Sequence, residues 1–191
     1  MKISQAHGSF ENSRVAVFVS GRGSNLQAIL NQPEIFYPVL VVSNRKNAPA
    51  LIKAKRAGIP VLIFNSQMTW EELSTELKLR RVNLIYLLGF MKIIPEFFCQ
   101  QWHGRMINIH PSLLPLHPGL DGFEKSFENK NSLGVTIHEV IPEMDAGPIL
   151  FQHTFRSTTQ ENKNELEFEK ERLALALTEH RLVRESGQRC L

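Results

Sequence analysis

Residues 14–30 read RVAVFVSGRGSNLQAIL, and the fold follows from them. A β-branched apolar run, Arg14 to Ser20, is followed at once by Gly21-Arg22-Gly23, and then by Leu26 and Ile29 at helical spacing from Asn25 to Asn31. An uninterrupted apolar run of this length fits a strand buried on both faces, and a strand joined to a helix by a glycine turn is the opening of a parallel α/β sheet. Working outward, the same alternation recurs. Apolar runs at residues 38–44, 60–65, 83–90 and 105–110 read as further strands. Helical patterns at 48–58, 69–80 and 95–102 lie between them, with Thr69 to Glu72 as a capping box and Gly58 as a stop. After His110 a turn-rich stretch, PSLLPLHPGLDG, leads to a short helical segment at 123–129. Two alternating segments follow at 134–140 and 149–155, which read as late antiparallel strands. Residues 161–185 carry Leu166, Leu173 and Leu177 at helical spacing and read as a long C-terminal helix over the sheet. The expected fold is α/β, an open doubly wound and mostly parallel sheet.

Composition narrows the class. The chain has 191 residues, 42% hydrophobic and 21% charged, enough to bury one core. Lys and Arg number 22 against 19 Asp and Glu, with no run of five like charges, so a small-molecule partner is expected rather than nucleic acid. No stretch approaches eighteen consecutive apolar residues, and the first residues lack an apolar signal segment, so no membrane partner is expected. Cys99 and Cys190 lack metal or disulfide spacing, which fits a reducing cytoplasm, and Cys99 reads as a buried, inert thiol.

Three places carry chemistry. The turn Ser20-Gly21-Arg22-Gly23-Ser24-Asn25-Leu26 presents main-chain N–H groups at a helix start, suited to a phosphate monoester. Leu26 stands where a dinucleotide fingerprint needs its third glycine, and the second strand ends in Ser43-Asn44 without an acidic ribose ligand, so NAD is not expected. A tight turn without a ligand is the competing reading. In RMINIH, Asn108 and His110 lie two residues apart and therefore on one side of a strand, at the carboxyl edge where open sheets bind ligands. An amide that donates to an oxyanion beside an imidazole that moves a proton makes an acyl-transfer pair; capping of the strand end is the alternative. In PEMDAGPIL, Asp145 sits on a loop between the late strands, as a partner for an imidazole or as an ordinary turn residue. Periodicity alone does not bring it to His110. His117, His138 and His153 have no metal-ligand spacing, and no metal is expected. Phe97, Phe98 and Trp102 read as core.

Taken together, GRGSNLQAI, LLGFMKIIP, INIHPSLLP with a following PG, and MDAGPIL resemble the folate-dependent glycinamide ribonucleotide formyltransferases, from about Arg14 to Phe155. The resemblance implies a Rossmann-like formyltransferase fold, one domain over 14–191 and a flexible extension over 1–13. It also implies formyl transfer from 10-formyltetrahydrofolate to glycinamide ribonucleotide in purine biosynthesis, by a cytoplasmic monomer or homodimer. It makes Asn108, His110 and Asp145 the catalytic trio. Gly23, Ser24 and Asn25 become the phosphate loop, with Glu179 at the acceptor amine. Met91, Lys92, Ile93 and Ile94 form one wall of the folate pocket, and Val140, Ile141, Pro142, Glu143, Met144 and Asp145 the other, with Asn108 between. The competitors are a formyltetrahydrofolate hydrolase, another formyltransferase, or a silent folate- or phosphate-ligand-binding module.

The chain departs from the family pattern in four places. Trp70 stands where an arginine often contacts the folate, so that contact is lost or replaced by stacking. Leu120 to Glu124 replaces a His-Thr-His-Arg-like stretch. The usual segment after Glu179-His180 is not evident, and residues before Arg14 have no counterpart.

Overall fold

The computed structural model describes residues 13–31, 36–156, 172, 175, 176, 178–181, 183 and 185. A seven-stranded sheet runs in the order β3-β2-β1-β4-β5-β6-β7. Its members are β1 (Arg14–Val19), β2 (Tyr37–Ser43), β3 (Val61–Ile63), β4 (Leu84–Leu87), β5 (Met106–His110), β6 (Leu133–Glu139) and β7 (Ile149–Arg156). The first five strands pair in parallel, and β6 and β7 join antiparallel, as their alternating sequence predicts. The helices are α1 (Ser24–Leu30), α2 (Pro49–Arg56), α3 (Trp70–Leu79), α4 (Glu96–Gln101) and α5 (Gly122–Glu128).

The central strand explains the layering. In β1, Val15, Val17 and Val19 point to one side, where they meet Leu26 and Ile29 of α1, Ala50, Leu51 and Ala54 of α2, and Phe123 of α5. Ala16 and Phe18 point to the other, into a cluster with Leu73 and Leu77 of α3, Phe98 and Cys99 of α4, and Trp102, which caps α4. A strand that is apolar on both faces is stable only when both are covered. Each buried Leu or Phe contributes on the order of 1.5–3 kcal/mol to that arrangement. Thr69 caps α3 as expected: its side chain accepts from Glu72 N while the Glu72 carboxylate accepts from Thr69 N.

Two expectations need comment. Phe98 and Trp102 are buried core residues, but Phe97 is 42% exposed, because it falls one position off the apolar stripe of α4. This corrects its assignment to the core. Of the long C-terminal helix, residues 161–171 lie outside the described residues, as do Leu166, Leu173 and Leu177; the described residues from 172 to 185 are helical, and Leu175 and Val183 pack into the β1–α1–α2 cluster. The extension before Ser13 also lies outside them. Among the described residues, no helix is long and apolar enough to cross a membrane.

Strand order reverses between β1 and β4, so the connections leaving their adjacent carboxyl ends run to opposite sides, and a crevice lies between them at that edge of the sheet. Ser20 ties the crevice together. Its N–H donates to Gly89 O at the end of β4, while its hydroxyl donates to Asn44 Oδ1 at 2.6 Å and accepts from Met91 N at 2.7 Å.

Candidate active site

Three strand ends contribute, beginning with β1. Gly23 caps α1 with φ +67°, a left-handed conformation that favours glycine. A Cβ there would also lie 2.6 Å from Ala50 Cβ, so packing of the turn on α2 demands glycine whether or not a ligand binds. Lys53 Nζ holds the turn by donating to Gly23 O at 2.9 Å. Asn25 is buried and donates from Nδ2 to Glu179 Oε2 at 3.1 Å, which brings together two residues far apart in sequence. Burial pushes the Glu179 carboxyl up to about 7, only partly opposed by the Asn25 hydrogen bond.

After β4, Met91, Lys92 and Ile93 are exposed, and Ile94 packs with Val140 in the α3–α4 cluster. Trp70 lies in the same neighbourhood. Its ring meets Phe64 at 4.5 Å and Phe98 at 4.8 Å between centroids, and Lys92 Nζ sits 4.3 Å from the Phe64 ring and 5.9 Å from Trp70. Lys92 therefore supplies a cation over the aromatic cluster that Trp70 helps to build.

The end of β5 holds the densest polar group. Asn108 and His110 emerge on one side, as their spacing predicts, and antiparallel pairing sets His138 opposite Asn108 and Thr136 opposite His110. The β6–β7 loop returns Asp145 to the same spot. Gly147 makes the return possible, since a Cβ there would overlap Glu139 O. Asp145 Oδ2 accepts from Gly119 N at 2.7 Å and lies 3.4 Å from His110 Nδ1. Its Oδ1 lies 3.3 Å from His138 Nε2 and accepts from Asn108 Nδ2 at 3.4 Å. Burial raises the affinity of this carboxyl for a proton, but its contact with the His138 ring, the hydrogen bond from Gly119 N and the nearby His110 ring outweigh it and hold Asp145 below the usual carboxylate range. Burial likewise holds His110 below the ordinary histidine value, partly opposed by the His117 carbonyl and Asp145.

Asn108, His110 and Asp145, spread over 37 positions, thus form one contact group. The Gly23–Asn25 turn lies two strands away along the same edge, about 10 Å by strand spacing. The 120–124 departure belongs to the group too. It forms the start of α5, and a Cβ on Gly122 would lie 2.8 Å from His110 Nε2, so the ring occupies space that a side chain would fill. Sequence reasoning missed His138 as a member. The available signal was Thr136-x-His138, which mirrors Asn108-x-His110 once the strands are paired antiparallel.

A sequence profile described as formyl transferase matches residues 13–177. The chain belongs to the formyl transferase family. A phosphoribosylglycinamide formyltransferase of Haemophilus influenzae is 37% identical over 150 residues, 73% of this chain and 71% of the relative. The trifunctional purine biosynthetic protein adenosine-3 of Homo sapiens is 38% identical over 159 residues, 76% of this chain but 16% of that protein, and the Drosophila melanogaster counterpart is matched over 12% of its length. The chain therefore spans a small part of these trifunctional relatives. Among solved structures, the phosphoribosylglycinamide formyltransferase of Anaplasma phagocytophilum superposes with a TM-score of 0.80 at 37% identity, covering 88% of this chain and 81% of that one. The enzyme from Bacillus halodurans gives 0.83 at 29%, covering 93% and 94%. The formyl transferase fold, with its late antiparallel strands, is thus shared over nearly the whole chain.

Proposed function

We propose that this formyl transferase domain, 14–191, moves the formyl group of 10-formyltetrahydrofolate to the amine of glycinamide ribonucleotide, giving the formylated ribonucleotide and tetrahydrofolate for purine biosynthesis. The observation that carries the reading is the convergence of Asp145 on both His110 and Asn108 at the β5 end, in a chain whose relatives bear that activity in their names.

The chemistry follows from the groups present. His110 is buried and held toward its neutral form, so it can accept the proton that the attacking amine gives up. Its Nε2 faces the His117 carbonyl at 2.9 Å and must carry a hydrogen there, which leaves Nδ1 as the basic nitrogen. A proton taken at Nδ1 lands beside Asp145 Oδ2, whose negative charge stabilises the imidazolium. Asn108 supplies the amide for the oxyanion of the tetrahedral intermediate. At the other end of the crevice, Gly23, Ser24 and Asn25 hold the ribonucleotide phosphate at the start of α1. Glu179, poised near neutrality, receives the acceptor amine. Met91 to Ile94 and Val140 to Asp145 enclose the folate, with Asn108 at its reacting end.

No serine or cysteine is paired to a base among these residues to carry the formyl group, so transfer is direct, within one ternary complex. Initial rates measured at several fixed folate concentrations test this. Lines that intersect, unchanged by chelator, are expected. Parallel lines or a formylated protein in intact-mass spectra would overturn it.

A further inference from the structure

Both imidazoles that face Asp145 give their far nitrogen to the main chain. His138 Nδ1 lies 2.9 Å from Glu139 O, and His110 Nε2 lies 2.9 Å from His117 O. A carbonyl oxygen only accepts, so each of these nitrogens carries a hydrogen. A neutral ring has one hydrogen, and each neutral ring therefore turns a bare nitrogen toward the carboxylate: His138 Nε2 at 3.3 Å and His110 Nδ1 at 3.4 Å. A lone pair against a carboxylate is unfavourable unless a donor intervenes.

For His138 the donor is Asn108, whose Nδ2 lies 3.1 Å from His138 Nε2 and 3.4 Å from Asp145 Oδ1. Both hydrogens of the Asn108 amide are then used inside the cluster, and its other end is a carbonyl oxygen, which cannot stabilise an oxyanion. The arrangement inverts when His138 Nε2 takes a proton from solution. The ring then donates toward Asp145 Oδ1 and has no lone pair for Nδ2, so the amide is better placed with its oxygen accepting from the ring and its NH2 turned outward.

We propose that His138 is a positioning residue whose protonation at Nε2 turns over the Asn108 amide and presents its NH2 group to the oxygen of the transferring formyl group. The proposal rests on the formyl-transfer reading of the site. Three elements present groups to His138. Asp145, from the β6–β7 loop, lies 3.3 Å from its Nε2; Asn108, from β5, lies 3.1 Å away; β7 contributes the apolar Ile149 at the paired position.

Nitrogen-15 NMR of the free protein tests the proposal without any turnover, so its outcome is independent of whether the acceptor has been identified correctly. On titration, His138 Nδ1 should remain protonated throughout while Nε2 changes state, and the Asn108 side-chain NH2 resonances should shift with the same midpoint. A neutral His138 carrying its hydrogen on Nε2, or Asn108 resonances indifferent to the His138 titration, would overturn it. Kinetics give a second readout. His138→Phe should lower kcat at least tenfold with each KM changed less than threefold, and should remove one ionisation from the pH profile of kcat. His138→Gln, whose NH2 can donate inward at every pH, should restore part of kcat with that ionisation still absent. Either variant keeping the wild-type pH profile would contradict the proposal.

Discussion

The turn after β1 and the end of β5 lie on the same sheet edge but are built on different principles. At the β1 turn, geometry comes from main chain and apolar packing: Gly23 at φ +67° presses on Ala50, with Leu26 and Ile29 buried beneath. At the β5 end, geometry comes from side chains of three segments that meet around Asp145, and apolar packing only sets the strands that carry them. The first kind of site depends on its glycine and on the close packing against Ala50. The second depends on every charged and hydrogen-bonding member, because a buried polar group left unpaired is expensive.

The sharpest way to break this contrast is Asp145→Asn. It keeps the size of the side chain and removes the charge shared by two imidazoles, so kcat should fall by about two to four powers of ten while each KM moves only a few-fold. Steady-state kinetics at saturating substrates check this; a parent-like kcat would reduce Asp145 to a turn residue. At the β1 turn the corresponding change acts on binding. Gly23→Val places a branched Cβ at a left-handed position against Ala50, and a loss of about 1–3 kcal/mol in stability is expected along with much weaker ribonucleotide affinity. Calorimetric titration of the folded variant should show folate binding nearly unchanged, and the parent protein should bind dephosphorylated acceptor at least tenfold more weakly, as charge-assisted hydrogen bonds are lost. Equal affinity with and without phosphate would move the anion site elsewhere.

These two regions also differ in how far they could be read from the chain alone. The sheet was legible because β1 and β4 are buried on both faces and read as unbroken apolar runs, while β6 alternates and pairs antiparallel. The β1 turn was legible because its residues are contiguous. At the β5 end, Asn108 and His110 were legible from strand spacing, since Pro111 stops the strand immediately after them. Asp145 was legible as a loop carboxylate able to serve an imidazole, but its meeting with His110 was not, because that depends on the loop return made possible by Gly147 against Glu139. His138 was passed over because its role depends on β5–β6 register, which no local pattern states. Phe97 was misassigned because two adjacent phenylalanines in one helix turn cannot both face the same core, and sequence does not say which one does.

Gly122→Ala probes a smaller effect at the β5 end. The added Cβ would lie 2.8 Å from His110 Nε2 and 3.2 Å from His117 O, which forces the ring off its carbonyl partner. A roughly tenfold fall in kcat is expected, with a stability loss of about 1–3 kcal/mol by thermal denaturation. Unchanged kcat would mean that the His117 contact does not fix the working nitrogen of His110.

The smallest effect is a slope. Glu179 has its carboxyl raised to about 7 from an ordinary 4.5, so between these values the folded protein binds more protons than the unfolded chain. Its contribution to stability must therefore be present at low pH and decline as pH rises toward 7, then level off. Comparing melting temperature against pH for the parent and Glu179→Gln isolates it: the difference should drift in favour of the variant between about pH 4.5 and 7. A flat difference would place the carboxyl in an ordinary, solvated setting.

The central claim is that the two ends of this edge hold two different substrates and that the polar group at β5 joins them by formyl transfer. Supplying labelled 10-formyltetrahydrofolate together with glycinamide ribonucleotide, charged initiator tRNA and water as competing acceptors, and following the label, tests it most directly. The account predicts that the label appears on the ribonucleotide amine in step with tetrahydrofolate release. Label recovered as formate, on the tRNA, or still on the folate when the ribonucleotide is present would contradict it.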